Sequence, residues 1–256
     1  MKLKILVTND DGIYSSGIYE LWNVAKEFGD VTVVAPSTQK SAVGHGITID
    51  KPLYIKQIDR GNGFKGNSIS GTPADCVKIG IKKLTKSIPN LVLSGINIGS
   101  NLGNNIIYSG TVAAAVEGAV SGIPSIAFSL DSFSPNSFAT SKAVIYKVLS
   151  LLLDNKPPTG TILNVNIPNC KPEDLKGYRV TSQGKQYFDD NFDERIDPRG
   201  RKYYWMTGKI NDDDEDLDCD GFAVKNNYVS ITPINFDMTN ISYINELKTI
   251  FENEEN

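Results

Sequence analysis

Hydrophobic residues along this chain fall into short runs separated by amphipathic stretches, and that alternation is the first guide to its fold. Ile5-Leu6-Val7, Val31-Thr32-Val33-Val34-Ala35, Leu91-Val92-Leu93, Ile126-Ala127-Phe128 and Ile162-Leu163-Asn164-Val165 read as short strands, most of them buried. Between them, apolar residues recur at helical spacing. Ile18, Leu21, Trp22, Ala25 and Phe28 share one face, as do Ala74, Val77, Ile81 and Leu84. A third helix begins near Ser109, and a fourth runs from about Phe138 to Leu153. Strands alternating with helices predict a mostly parallel sheet covered on both sides, a Rossmann-like three-layer α/β sandwich.

The helix starts carry their own signals. Thr72-Pro73-Ala74-Asp75 supplies an N-cap hydroxyl, a proline at the first helical position and an acid in the first turn. The helix after Ser109 is made largely of Gly, Ala, Val and Thr, which predicts very close packing on the sheet or on another helix. Alternating apolar residues between Ile47 and Ser70, such as Leu53 and Ile55, predict antiparallel strands inserted between the βα units. From Gln183 to Gly208 the chain is aromatic and basic, with Asp197-Pro198-Arg199-Gly200 as a turn near its middle, so a protruding hairpin is expected there. An acidic run over 212–216, a strand near Tyr228–Thr232 and a helix from about Asn240 complete the chain. The expected organisation is a catalytic core over 1–182 and an extension over 183–256 that serves oligomerisation.

Composition narrows the class. The 256 residues suffice for a large core, and 40% hydrophobic with 22% charged residues is the balance of a soluble globular protein. A net charge of −4 gives no support to a nonspecific nucleic-acid surface, so no stable nucleic-acid partner is expected. Cys76, Cys170 and Cys219 are odd in number and follow no CxxC spacing, which argues against a disulfide framework or a zinc knuckle. No apolar run reaches the roughly 20 residues that cross a bilayer, and Met1-Lys2-Leu3 leads straight into a strand; a cytoplasmic enzyme is the expectation.

The chemistry gathers at the ends of the predicted strands. Asp10 and Asp11 follow the first; Ser37, Thr38 and Ser41 follow the second; Gly95-Ile96-Asn97-Ile98-Gly99-Ser100-Asn101 follows the Leu91 strand. In a parallel sheet these loops leave at one edge, where ligands bind. They bring carboxylates, hydroxyls and amides, a donor set for a hard cation such as Mg²⁺ or Mn²⁺. Two adjacent acids also fit an ordinary turn, and Ser109-Gly110-Thr111 also fits an ordinary helix cap. Beside a cation, however, that helix start is a phosphate seat. His45 is the single histidine, so His-rich zinc sites are excluded; as a loop residue near the site it serves either as a substrate contact, as a leaving-group acid or in no special role. GxSxG, GxxxxGK[ST] and GxGxxG motifs are all absent.

Taken together, Val7-Thr8-Asn9-Asp10-Asp11-Gly12, Ala35-Pro36 with Ser41, Gly71-Thr72-Pro73-Ala74-Asp75-Cys76-Val77, Ser94 to Asn101 and Tyr108 to Ala115 resemble the SurE survival-protein family. The resemblance extends to the Tyr203-Tyr204-Trp205 hairpin and the Tyr228–Pro233 strand, and so to nearly the whole chain. It implies a metal-dependent 5'/3'-nucleotidase in which Asp10, Asp11, Ser41 and Asn97 hold one divalent cation per subunit. Asn9, Asn101, Ser109, Gly110 and Thr111 would then line the phosphate site. It also implies a homodimer or homotetramer built through exchanged C-terminal segments and hairpins. The loop Ala42-Val43-Gly44-His45-Gly46 departs from the serine- and asparagine-rich loop of many relatives, which bears on contacts to the base and not on the metal. The expected reaction is in-line attack of water on a nucleoside monophosphate, with Asp10, Asp11, Asn97 and Ser109 as the catalytic group and one of the acids accepting a proton. A non-catalytic nucleotide sensor and a haloacid-dehalogenase-like phosphatase are the alternatives.

Overall fold

A computed structural model describes residues 2–152, 154–211, 213 and 216–252. In chain order it contains β1 (Leu3–Thr8), α1 (Ser16–Ala25), β2 (Gly29–Pro36), β3 (Ile55–Gly61), β4 (Phe64–Ile69), α2 (Pro73–Ile79), β5 (Leu91–Ile98), α3 (Gly110–Val120), β6 (Ser125–Asp131), α4 (Ala139–Leu152), β7 (Thr161–Pro168), β8 (Gly177–Val180), β9 (Tyr187–Ile196), β10 (Lys202–Asn211), α5 (Asp220–Lys225), β11 (Tyr228–Asn235) and α6 (Ile241–Phe251). The main sheet has the order β3-β4-β2-β1-β5-β6-β7-β11-β8. Its central strands, from β4 through β7, are all parallel. From β1 the chain first winds outward through β2; at β5 it returns to the other side of β1 and winds the opposite way. The switch point therefore lies between the ends of β1 and β5, where doubly wound sheets bind ligands.

Side-chain alternation builds the three layers. Ile5 and Val7 face a cluster with Ile18, Leu21, Trp22, Val144 and Val148 from α1 and α4. Leu6 and Val92 face Cys76, Val77 and Ala114 from α2 and α3. β1, β5 and β6, covered on both faces, carry the short apolar runs Ile5-Leu6-Val7, Leu91-Val92-Leu93 and Ile126-Ala127-Phe128, as the sequence pattern implies. The capping box of α2 is complete, with Thr72 and Asp75 each bonding the other's backbone N–H. After Ile79 the helix widens into a π turn over Gly80–Leu84, which periodicity alone does not reveal, and Ile81 and Leu84 still pack on the Leu6–Val34 cluster.

The inserted strands begin later than the pattern suggests. The segment from Ile47 to Tyr54 is irregular, and the antiparallel pair is β3–β4, joined by Asn62-Gly63. Thr48 explains the difference: its N–H (3.0 Å) and hydroxyl (2.6 Å) donate to Asp75, which ties this stretch to the start of α2, and Pro52 has no N–H to offer a ladder. At the other end, β11 returns to the main sheet, antiparallel to β7 and parallel to β8. β9 and β10 form a separate two-stranded sheet closed at the expected turn, where Asp197 accepts from the N–H groups of Arg199 and Arg201. Leu153 and most of the acidic run lie outside the described residues.

Candidate functional site

Asp10 and Asp11 leave β1 directly into the switch point. Asn9 fixes the turn that carries them: its amide donates to the Gly12 carbonyl (3.1 Å) and the Ser15 hydroxyl (2.8 Å), while its oxygen accepts the Gly12 N–H (3.2 Å). Both ends of that side chain are thus used inside the turn, so Asn9 acts from behind the cleft. Ser15 in turn caps α1. On the neighbouring strand, a register shift between Ser94 and Asn97 re-aims the end of β5. Asn97 donates its amide nitrogen to the Gly99 carbonyl at 2.7 Å, which leaves its oxygen for the cleft.

A cleft of about 190 Å³ results, lined by Asp10, Asp11, Gln39, Ser41, Asn97, Asn101, Asn105, Tyr108 and Ser109 among others. All four residues expected to hold a cation line it. Ser37 and Thr38, on the same loop as Ser41, do not. Sequence reading misses Gln39, whose amide donates to Asp11 at 3.3 Å, and also Asn105 and Tyr108; a loop and the short 3₁₀ turn over Gly103–Tyr108 give no hydrophobic period to follow.

The helix start closes the far side. Ser109 caps α3 by accepting the Val112 N–H at 3.1 Å, and Thr111, fully buried, donates its hydroxyl to Asp10. Gly110 makes this approach feasible: a Cβ there would lie 2.8 Å from the Asp10 Cβ and 3.0 Å from its Oδ2. The hydroxyl of Thr111 is therefore occupied by Asp10, and Ser109 and Asn101 are the members of the expected phosphate set that face the cleft.

Electrostatics mark the two acids. Burial pushes the Asp10 carboxyl up to about 6; the Thr111 hydroxyl works against that rise and the charge of Asp11 adds to it. Asp11 is raised as well, by burial, with the Ile98 N–H at 3.2 Å opposing. Neither forms an ion pair among the described residues. Nor is there, among them, a group of three or more His, Cys, Asp or Glu placed to hold a metal. A cation here would rest on two carboxylates and on the neutral oxygens of Asn97 and Ser41. That set is all oxygen, the chemistry of Mg²⁺ or Mn²⁺, and the two raised carboxyls are short of positive charge.

The loop carrying Ser41 is held from the other side of α3. The Gly44 N–H donates to the Tyr108 carbonyl at 3.0 Å, and His45 Nε2 lies 3.0 Å from Glu117 Oε2. Glu117 also accepts from Lys78 of α2 at 2.6 Å. Burial would raise the Glu117 carboxyl, but the His45 and Lys78 bonds outweigh it and hold it below the usual range. The sequence holds one signal for this anchor, since Glu117 is the only charged residue in the small-residue helix α3. A second cavity of about 400 Å³, largely apolar, adjoins the cleft at Ser109 and is lined by His45, Ile106, Val112, Val116, Phe236 and Met238 among others.

The chain is similar to known proteins over nearly its whole length. The family model described as survival protein SurE matches residues 5–190. The chain is 46% identical to the 5'-nucleotidase SurE of Syntrophobacter fumaroxidans over 245 residues, covering 96% of this chain and 98% of that one. It is 44% identical to the protein of the same name from Thermosipho africanus over 252 residues, covering 98% and 99%. The crystal structure of the SurE protein from Aquifex aeolicus superposes with a TM-score of 0.84 at 42% identity, covering 96% of this chain and 99% of that one.

Proposed function

This chain belongs to the survival-protein SurE family, and on that premise we propose that it is a metal-dependent 5'-nucleotidase releasing phosphate from nucleoside monophosphates. The observation that carries the reading is the pair of raised carboxyls at the switch point, buried Asp10 and half-buried Asp11, facing Asn97, Ser41 and a helix N-terminus across one cleft.

Asp10, Asp11, Asn97 and Ser41 would hold one Mg²⁺ or Mn²⁺ per subunit. When bound, such a cation supplies Lewis-acid polarisation of a phosphoryl oxygen and of the attacking water. Asn101 and Ser109 orient the phosphate, and the N-terminus of α3 beside them offsets charge that builds on it in the transition state. Thr111 and Asn9 hold Asp10 and its turn in place. Asp11, less buried than Asp10, is the better placed of the two to accept a proton from water. The apolar cavity beyond Ser109 gives the nucleoside a place next to the phosphate seat, with His45 at its rim.

The working form we infer is a homodimer or homotetramer. β9 and β10 expose Phe192, Tyr204, Trp205 and Met206, and α6 buries none of its residues, an apolar surface of the kind subunit contacts cover. Among the described residues no helix is long and apolar enough to cross a membrane. Cys76 and Cys170 are free thiols, which suits a reducing, cytoplasmic setting.

Stripping the protein with a chelator tests the core of this reading. Phosphate release from AMP is expected to fall at least about a hundredfold and to return on adding Mg²⁺ or Mn²⁺; undiminished activity of the stripped protein would sink it. Parallel assays on 3'-AMP give the positional preference. A second expectation concerns Thr111→Val, which takes from Asp10 a hydrogen bond to a charged acceptor. Mn²⁺ binding, followed by titration calorimetry, should weaken by about tenfold near pH 6.5 and by less at pH 8, because the proton that competes with the metal is held more tightly.

A further inference from the structure

Behind Asn101 lies a polar cluster that neither the cation nor the phosphate chemistry explains. Asn164 and Asn166, two residues apart on β7, face the same side of the sheet, and Ser129 of β6 is in register with Asn166. All three are fully buried. They converge on one residue. Asn166 accepts the Asn101 N–H at 2.8 Å and donates to the Asn101 carbonyl at 3.0 Å. Asn164 donates to that same carbonyl at 2.8 Å, and Ser129 accepts from the Asn101 side-chain nitrogen at 2.7 Å. The Asn166 amide thus pairs with both backbone groups of Asn101, like one rung of a β-ladder, at a point where the loop has left the sheet.

Stability alone does not account for this cluster. The Asn164 oxygen is buried without a hydrogen-bond partner among the described residues, and such an orphan is destabilising. Ile162, Val165 and Ile167 show what β7 carries where only packing matters. A side-chain amide nitrogen has two protons. With one of them on Ser129 and the residue fixed by its backbone, the other is available to a ligand in the cleft that Asn101 lines.

We propose that Asn166, supported by Asn164 and Ser129, is a positioning residue for the phosphate seat, holding Asn101 so that its amide donates to the substrate phosphate. The inference rests on the reading of Asn101 as a phosphate contact, and the test keeps the two apart. Inorganic phosphate, as a competitive inhibitor of AMP hydrolysis with Mn²⁺ present, is the probe; Mn²⁺ affinity without phosphate is the control. Ser129→Ala and Asn166→Ala should each weaken phosphate inhibition by about tenfold and raise KM more than they lower kcat. Mn²⁺ affinity should stay within about twofold of the parent, and Ser129→Thr, which keeps the hydroxyl, should behave as the parent. Unchanged phosphate inhibition in Ser129→Ala, or equal loss of phosphate and Mn²⁺ binding, overturns the inference. If Asn101→Ala leaves phosphate inhibition intact, the phosphate-seat reading itself has failed. If Asn101→Ala weakens inhibition and Ser129→Ala does not, only the positioning role has. Should Asn166→Ala not fold, Ser129→Ala still decides, since it removes a single oxygen.

Discussion

Asp10→Asn is expected to lower phosphate release from AMP by about a thousandfold and, in the same protein, to stabilise the metal-free fold at neutral pH. The first effect follows from losing one of two carboxylates in the proposed ligand set, whose other members are neutral. The second follows from the direction of the pKa shift. In the unfolded chain this carboxyl titrates near 3.8; in the metal-free fold it titrates at about 6, chiefly because it is buried. Between those values the folded chain holds a proton that the unfolded chain has released, so stability falls as pH rises through that window, and above it the whole penalty is present. A shift of that size is worth up to about 3 kcal/mol. Asparagine removes the charge and keeps an oxygen to accept from Thr111. Urea unfolding of both proteins after chelation, at pH 4 and pH 7.5, should show the variant ahead at pH 7.5 and level at pH 4. The parent should also bind Mn²⁺ progressively more weakly below about pH 6, as protons compete for Asp10. A variant less stable than the parent at pH 7.5 would mean that Asp10 is not under electrostatic stress in the fold.

Gly17→Ala is expected to have the largest effect on stability, although residue 17 touches no ligand. It lies in the first turn of α1, and a Cβ there would sit 2.0 Å from the Ile96 carbonyl oxygen. That contact is with backbone, so no rotamer change relieves it. Either α1 lifts off β5, uncovering Ile18 and Leu21, or the end of β5 moves and takes Asn97 with it. The cost expected is about 3 kcal/mol, the upper end for overpacking, with Mn²⁺ affinity reduced in whatever remains folded. Urea midpoints together with a Mn²⁺ titration check both parts. A variant that is stable and binds Mn²⁺ as the parent does would show that the approach of α1 to β5 is not what fixes Asn97.

The two variants mark different kinds of information in the chain. Asp10 stands out from the residue order itself, because an apolar run ending in adjacent acids is a strong local statement, and strand alternation puts Ser41 and Asn97 at the same edge. Gly17 does not: a glycine near a helix start is unremarkable until the opposite backbone is in view. Asn9 and Thr111 show the same divide. The family resemblance places both at the phosphate site, and both lie within two residues of the cleft lining, but their polar atoms are occupied by the Gly12 turn and by Asp10. Asn164 and Asn166 read in sequence only as part of a strand, since nothing local distinguishes a buried amide that serves a loop 65 residues away from one that faces solvent.

By itself, then, the sequence determined the layered α/β architecture, the oxygen character of the cleft lining and the loops that supply it. Those properties depend on hydrophobic period and residue type, which are written locally. Tertiary structure alone decided which atoms are free: that Asn97 offers its oxygen, that Asp10 titrates near 6, that His45 is clipped to Glu117 and that Asn101 is held from behind by β6 and β7. Each of these depends on burial and on partners far away in the chain, and so on packing that no local pattern encodes.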